Sequence, residues 1–82
     1  MAATTHPLYF TGDLTPPFRY AQARVPVRVA VDWPDGRATP CLGEAACWNT
    51  AAVYCRIRVP GETRARTGWF ALGQVTRTQD HS

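Results

Sequence analysis

Nine arginines and no lysine carry the positive charge of this 82-residue chain. A guanidinium offers planar, forked donors that match phosphate and carboxylate oxygens. Arg56 and Arg58 stand two apart, and so do Arg64 and Arg66. In extended backbone, side chains alternate between faces, so each pair emerges on one side of its strand. Pro60-Gly61-Glu62 between them is turn sequence. A three-residue loop there sets Val59 opposite Thr63, Arg58 opposite Arg64, Ile57 opposite Ala65 and Arg56 opposite Arg66. An odd loop length keeps the apolar residues of both strands on one side, because the side-chain period is two. Two like-charged pairs then crowd the outer face beside Tyr54. Each costs roughly a few tenths of a kcal/mol in water. One reading is an anion-binding patch for nucleic-acid phosphate or an acidic partner. The plainer reading is a solvated face whose arginine stems cover apolar surface. Trp48 and Tyr54 are the aromatics best placed beside Arg56 to stack on a base or grip a peptide.

The residue types that support catalysis are sparse. Serine occurs once, at Ser82, and the two histidines, His6 and His81, lie near the ends. No Ser-His-Asp or Cys-His arrangement can be drawn from them. Asp32 and Asp35 flank a turn and are better suited to shaping it than to acid-base work. There is no glycine-rich phosphate loop and no HExxH pattern. The expectation is a protein that is not an enzyme and carries no cofactor.

Cys41, Cys47 and Cys55 are separated by five and seven residues, unlike the short ligand pairs of zinc sites. Their odd number also argues against a disulfide framework. Small buried hydrophobes are the expected role, with a single disulfide or a metal site as the alternatives. The opening Met1-Ala2-Ala3-Thr4-Thr5-His6-Pro7 has neither the basic start nor the apolar run of a signal peptide. No stretch approaches the roughly 18 apolar residues of a spanning helix. The chain therefore reads as cytoplasmic and without a membrane partner.

These groups must be positioned by one small domain. The chain is 45% hydrophobic and 18% charged, with a net charge of +3. It can bury a core, but a domain of this size shields only roughly 60% of its unfolded surface, which excludes a roomy two-domain cleft. The positive excess is milder than that of a dedicated nucleic-acid binder. It is uneven, however. Residues 51–82 hold five arginines against Glu62 and Asp80, a surplus of three that equals the net charge of the whole chain.

Val25, Val27, Val29 and Val31 alternate with Pro26, Arg28 and Ala30, a strand with one buried face. Trp33-Pro34-Asp35-Gly36 supplies a turn, and a second strand is expected within residues 37–45. Residues 44–52 hold the only plausible helical turn, but Trp48-Asn49-Thr50 reads better as a loop. Val53, Cys55, Ile57 and Val59 alternate again, and Thr63 to Phe70 returns as a strand with Trp69 at inner parity. Trp33 is expected to cap the end of the core. Residues 1–24, with Pro16-Pro17 and the aromatics Tyr9, Phe10, Phe18 and Tyr20, read as an extended arm. That arm either docks on its own domain or mediates self-association through an extended strand. Residues 78–82 read as a frayed tail.

Gly68-Trp69-Phe70-Ala71-Leu72-Gly73-Gln74-Val75 resembles the close of an SH3-like barrel. In that family an aromatic strand end runs into one 3₁₀ turn, and a valine opens the last strand. The hairpin from Val53 and the order of strands and turns fit the same plan over roughly residues 25–77. The resemblance implies an all-β, small five-stranded SH3-like barrel with an extended N-terminal arm. The acidic loop of peptide-binding SH3 domains is missing, and tudor, chromo and ribosomal barrels share this plan with different ligands. The functional expectation is a non-catalytic binding module that contacts nucleic-acid backbone through Arg56, Arg58, Arg64, Arg66, Tyr54 and Trp48. The alternative is a protein-interaction, adaptor or inhibitory domain that uses surface aromatics and the arm.

Overall fold

The computed structural model describes residues 6–78. Five strands follow one another: β1 Arg19–Asp32, β2 Ala38–Trp48, β3 Ala52–Arg58, β4 Arg66–Ala71 and β5 Val75–Arg77. They form a single antiparallel sheet in the order β4-β3-β2-β1-β5, with no α-helix among the described residues. The expected 3₁₀ turn is present as Leu72–Gln74 and leads directly into β5.

Valine alternation in β1 does what a period of two requires. Val27, Val29 and Val31 are buried, while Pro26, Arg28, Ala30 and Asp32 are exposed. From β2 come Cys41 and Ala45, and from β3 Val53, Cys55 and Ile57; Trp33, Val59 and Phe70 complete the core on the same face. All three cysteines are free thiols, with Cys41 and Cys55 buried and Cys47 half-buried. Trp33 is buried as expected, and its indole N–H donates to the Thr39 hydroxyl at 3.0 Å. The following turn is closed by the Gly36 N–H on the Trp33 carbonyl at 2.9 Å, with Gly36 at φ +91°, where a side chain would be strained.

The strand boundaries differ from expectation at the start of β1, the end of β2 and the start of β4. β1 begins at Arg19, so residues 19–24 belong to the sheet and not to an irregular arm. Most of that first half is exposed, so it has no alternation to display. β2 likewise runs on to Trp48, past the residues expected to form a loop. Its turn into β3 is built by Asn49. The Asn49 N–H donates to the Ala52 carbonyl at 3.0 Å, and its side-chain oxygen accepts from the N–H groups of Ala51 and Ala52, both at 2.8 Å. An Asx turn of this kind outcompetes the helix propensity of the flanking alanines.

The register of β3 on β4 corrects the expected pairing. Arg56 stands opposite Thr67 and Ile57 opposite Arg66, while Arg64 lies in the connection and not in a strand. Neither expected arginine pair forms. Gly61, at φ +90°, and the Glu62 N–H on the Val59 carbonyl at 3.0 Å make the turn, but Thr63–Ala65 stay outside the ladder. That shifts the pairing by one residue, which exchanges the faces of β4. Phe70 goes into the core, fully buried, and Trp69 goes to the opposite face. One aromatic fills the interior completely, while the larger indole is half-buried on the outward side.

Strand pairing leaves the sheet open, with β4 and β5 as its two edges. The N-terminal segment crosses the gap in its own chain. The Leu8 N–H donates to the Asp32 carbonyl at the end of β1, and the Phe10 N–H donates to the Trp69 carbonyl on β4, both at 2.8 Å. Between them the Tyr9 ring packs on Phe70, with centroids 5.5 Å apart. It also lies flush on Gly68, where a Cβ would collide with the ring. Residues 1–5 and 79–82, which include part of the expected arm and most of the expected tail, lie outside the described residues.

Candidate nucleic-acid interface

The outward face of the sheet is ordered by register. One row across it reads Thr76, Arg28, Leu42, Arg58 from β5 through β1 and β2 to β3. The next outward row reads Pro26, Glu44, Arg56, Thr67 from β1 to β4. Neighbouring strands lie about 4.8 Å apart, so Arg28 and Arg58 stand about 10 Å from one another across Leu42 at the backbone. Arg56 and Arg58 follow one another along the same side of β3, roughly 6.6 Å apart.

Arg24 joins this group through an ion pair, its Nη1 lying 3.3 Å from Glu44 Oε1, with both side chains about half exposed. Around these two rows four guanidinium groups stand against the carboxylate of Glu44, a surplus of three that the more distant Asp32 lowers to two. Asp32 shares this parity at the far end of β1, beyond Ala30. No carboxylate of the described residues pairs with Arg28, Arg56 or Arg58. Two shallow hollows adjoin along the Glu44–Arg56 pair. One, of about 340 Å³, is lined by Leu42, Gly43, Glu44, Arg56 and Arg58. The other, of about 310 Å³, is lined by Arg24, Glu44, Ala46, Tyr54, Arg56 and Thr67.

A third outward row is aromatic. Tyr20, Cys47, Tyr54 and Trp69 are successive partners from β1 to β4. The Tyr54 and Trp69 rings meet in a tilted contact at 5.3 Å, and Phe18 packs on the far side of Trp69 at 5.7 Å. Tyr20 is 74% exposed. The face therefore grades from aromatic at one end to basic at the other, with Tyr54 and Arg56 at the join.

Of the six residues expected at the site, the structure brings together Tyr54, Arg56 and Arg58. The other three lie elsewhere. Arg64 is in the exposed connection before β4. Arg66 shares the inward parity of Ile57 and forks onto Glu62, with Nε–Oε1 at 2.7 Å and Nη2–Oε2 at 2.9 Å. The Tyr9 hydroxyl also reaches Arg66. Hydrogen bonding from Arg66 holds the Glu62 carboxyl below its ordinary value. Trp48 pairs with Val53 and packs half-buried against the core, on the inward side. Trp48 is displaced by the register shift between Ala45 and Cys47, which puts two residues of β2 opposite Tyr54.

Residues that the sequence reading passed over are Arg24, Arg28, Tyr20 and Trp69. Arg28 had a signal, since it alternates with core valines and so points outward. What pairs β1 with β2, and so sets Arg28 near Arg58, is not written in either strand alone.

Chemically, this face supplies fixed positive charge, forked donors and aromatic surface. Among the described residues no cluster of three or more His, Cys, Asp or Glu side chains could hold a metal ion. Burial pushes all three thiols up, Cys55 to about 12, so they are protonated at neutral pH and poor nucleophiles. No protein-family model, no curated protein and no solved structure matches the chain.

Proposed function

We propose that the chain is a non-catalytic binding module that holds the phosphate backbone of nucleic acid on the outward face of its sheet. Arg28, Arg56 and Arg58 carry the charge, and Tyr54 supplies an adjoining stacking surface. The observation that carries this reading is the set of three exposed guanidinium groups on β1 and β3, either side of β2, with no carboxylate partner among the described residues. A rigid sheet fixes the spacing of their backbone attachments, so binding has only the exposed side chains left to order. Phosphate relieves their mutual repulsion and releases condensed counterions, which makes association steeply salt-dependent. Arg24 sits at the same surface, partly neutralised by Glu44.

The same proposal places the domain on the plan of a small SH3-like barrel. The strand order β4-β3-β2-β1-β5, the 3₁₀ turn between β4 and β5, and the Leu8–Phe10 crossing from β1 to β4 support that assignment. Fold alone does not carry the function.

The test is fluorescence anisotropy with labelled duplex and single-stranded oligonucleotides across a salt series. The wild type should bind at low salt, with affinity falling linearly against the logarithm of salt concentration. Replacing Arg28, Arg56 and Arg58 together by alanine should flatten the slope by about 0.9 per arginine on duplex. Replacing Arg64 and Arg66 should change it much less. Wild-type protein that binds neither oligonucleotide at low salt refutes the proposal and turns attention to a protein partner.

A further inference from the structure

The inward side of the sheet carries a second feature, independent of the arginine face. Its core is closed along most of its length. Toward one end, Val25, Val27, Ala45, Trp48 and Val53 leave a hollow of about 170 Å³, bounded on the other side by Leu72 and Val75. Apolar surface stays wet here: Leu72 is 44% exposed, and Val25, Trp48 and Val75 only partly covered. An apolar cavity of roughly 150 Å³ accommodates benzene, so the space suits one six-membered ring or a branched aliphatic group.

Its only ionisable lining residue is Arg77. That residue lies opposite Val27 on β5, which is the inward parity. Its stem therefore runs along the apolar wall toward solvent, and no carboxylate of the described residues pairs with it. A guanidinium cannot shed its charge in proteins, so its complement is an anion. An apolar hollow with a few convergent polar groups is the usual form of a small-ligand site.

We propose that this hollow binds a small apolar carboxylate, with the ring or branched chain against Trp48, Val25 and Leu72 and the carboxylate on the Arg77 fork. The same chemistry is presented by a free aryl or branched-chain acid and by the C-terminal residue of a peptide. A ligand of this size, on ordinary ligand efficiencies, binds with a dissociation constant on the order of 1 mM.

The experiment is amide and indole NMR on the full chain, titrated separately with phenylacetate, phenylacetamide and acetate. Two N-acetyl tripeptides ending in phenylalanine, one a free acid and one an amide, form the peptide arm. Phenylacetate should shift Val25, Trp48, Leu72 and Val75 signals to saturation, with phenylacetamide and acetate about tenfold weaker or worse. Arg77→Gln should weaken phenylacetate about tenfold and leave phenylacetamide unchanged. Arg77→Lys, which keeps the charge without the fork, should fall between. Tighter binding of the peptide acid than of phenylacetate assigns the site to a chain end, and the reverse assigns it to a free acid. The proposal is overturned if neither acid saturates those signals. It is also overturned if the amides and Arg77→Gln bind as well as the acids and wild type, or if the shifts fall on Arg28, Arg56 and Arg58.

Discussion

Replacing Asn49 by alanine removes an oxygen that two backbone N–H groups share. Asn49 is only 6% exposed, and Ala52, one of its two donors, is fully buried. The Ala52 N–H loses its 2.8 Å bond in a place water does not reach, which costs about 1–3 kcal/mol. Ala51 is half-buried, so its N–H turns partly to solvent and the loss there is nearer 0.5–1 kcal/mol, roughly a neutral hydrogen bond's net worth. The Asn49 amide also donates to the Thr15 carbonyl at 3.2 Å, but Thr15 is exposed and recovers a water bond. The sum is about 1.5–4 kcal/mol, which for a domain of this size lowers the melting temperature by roughly 6–32 °C. Asn49→Asp keeps the acceptor for both N–H groups but loses the bond to Thr15 and sets a buried charge's second oxygen against that carbonyl, so it should recover only part of what alanine loses. Urea denaturation followed by tryptophan fluorescence measures both variants on one scale. A loss under about 0.5 kcal/mol for Asn49→Ala refutes the assignment of a buried, otherwise unsatisfied donor at Ala52.

Two further outcomes follow from contacts described above. Gly68→Ala should cost about 1–3 kcal/mol by forcing a methyl into the Tyr9 ring, and most of that cost should vanish in a Tyr9→Ala background; additive losses in the thermal melts would count against the contact. The Glu62 carboxyl is held below its ordinary value of 4.5 by hydrogen bonding from Arg66. A lowered native value means a stabilisation that is present above the unfolded value and lost as pH falls through the native one. Wild type should therefore melt above Glu62→Gln at neutral pH, and the gap should close in acid; a gap that persists there argues against the fork as its source.

The parts of the fold legible in the sequence are those where burial falls on one face only. Val27, Val29 and Val31 in β1, and Val53, Cys55 and Ile57 in β3, alternate because every second position meets the core. The 3₁₀ turn and β5 were legible through the run from Gly68 to Val75. The first half of β1 was not, since Arg19–Arg24 bury almost nothing and a strand without a buried face has no period. The β3–β4 register was hidden for another reason. Both Trp69 and Phe70 are large and apolar, so either can be imagined inside, and the choice depends on Tyr9, some sixty positions away, roofing Gly68. Arg56, Arg58 and Tyr54 survive that choice because they belong to one strand. Arg64 and Arg66 do not, because they depended on the pairing.

The Leu8–Phe10 crossing has a consequence for how copies of this protein meet in a crowded solution. A bare rim of peptide groups invites the next molecule to extend the sheet, the first step toward insoluble assemblies. Here the Trp69 carbonyl already has the Phe10 amide. The stretch that ties the two ends of the domain together thus also occupies part of the rim that a neighbour's strand would need.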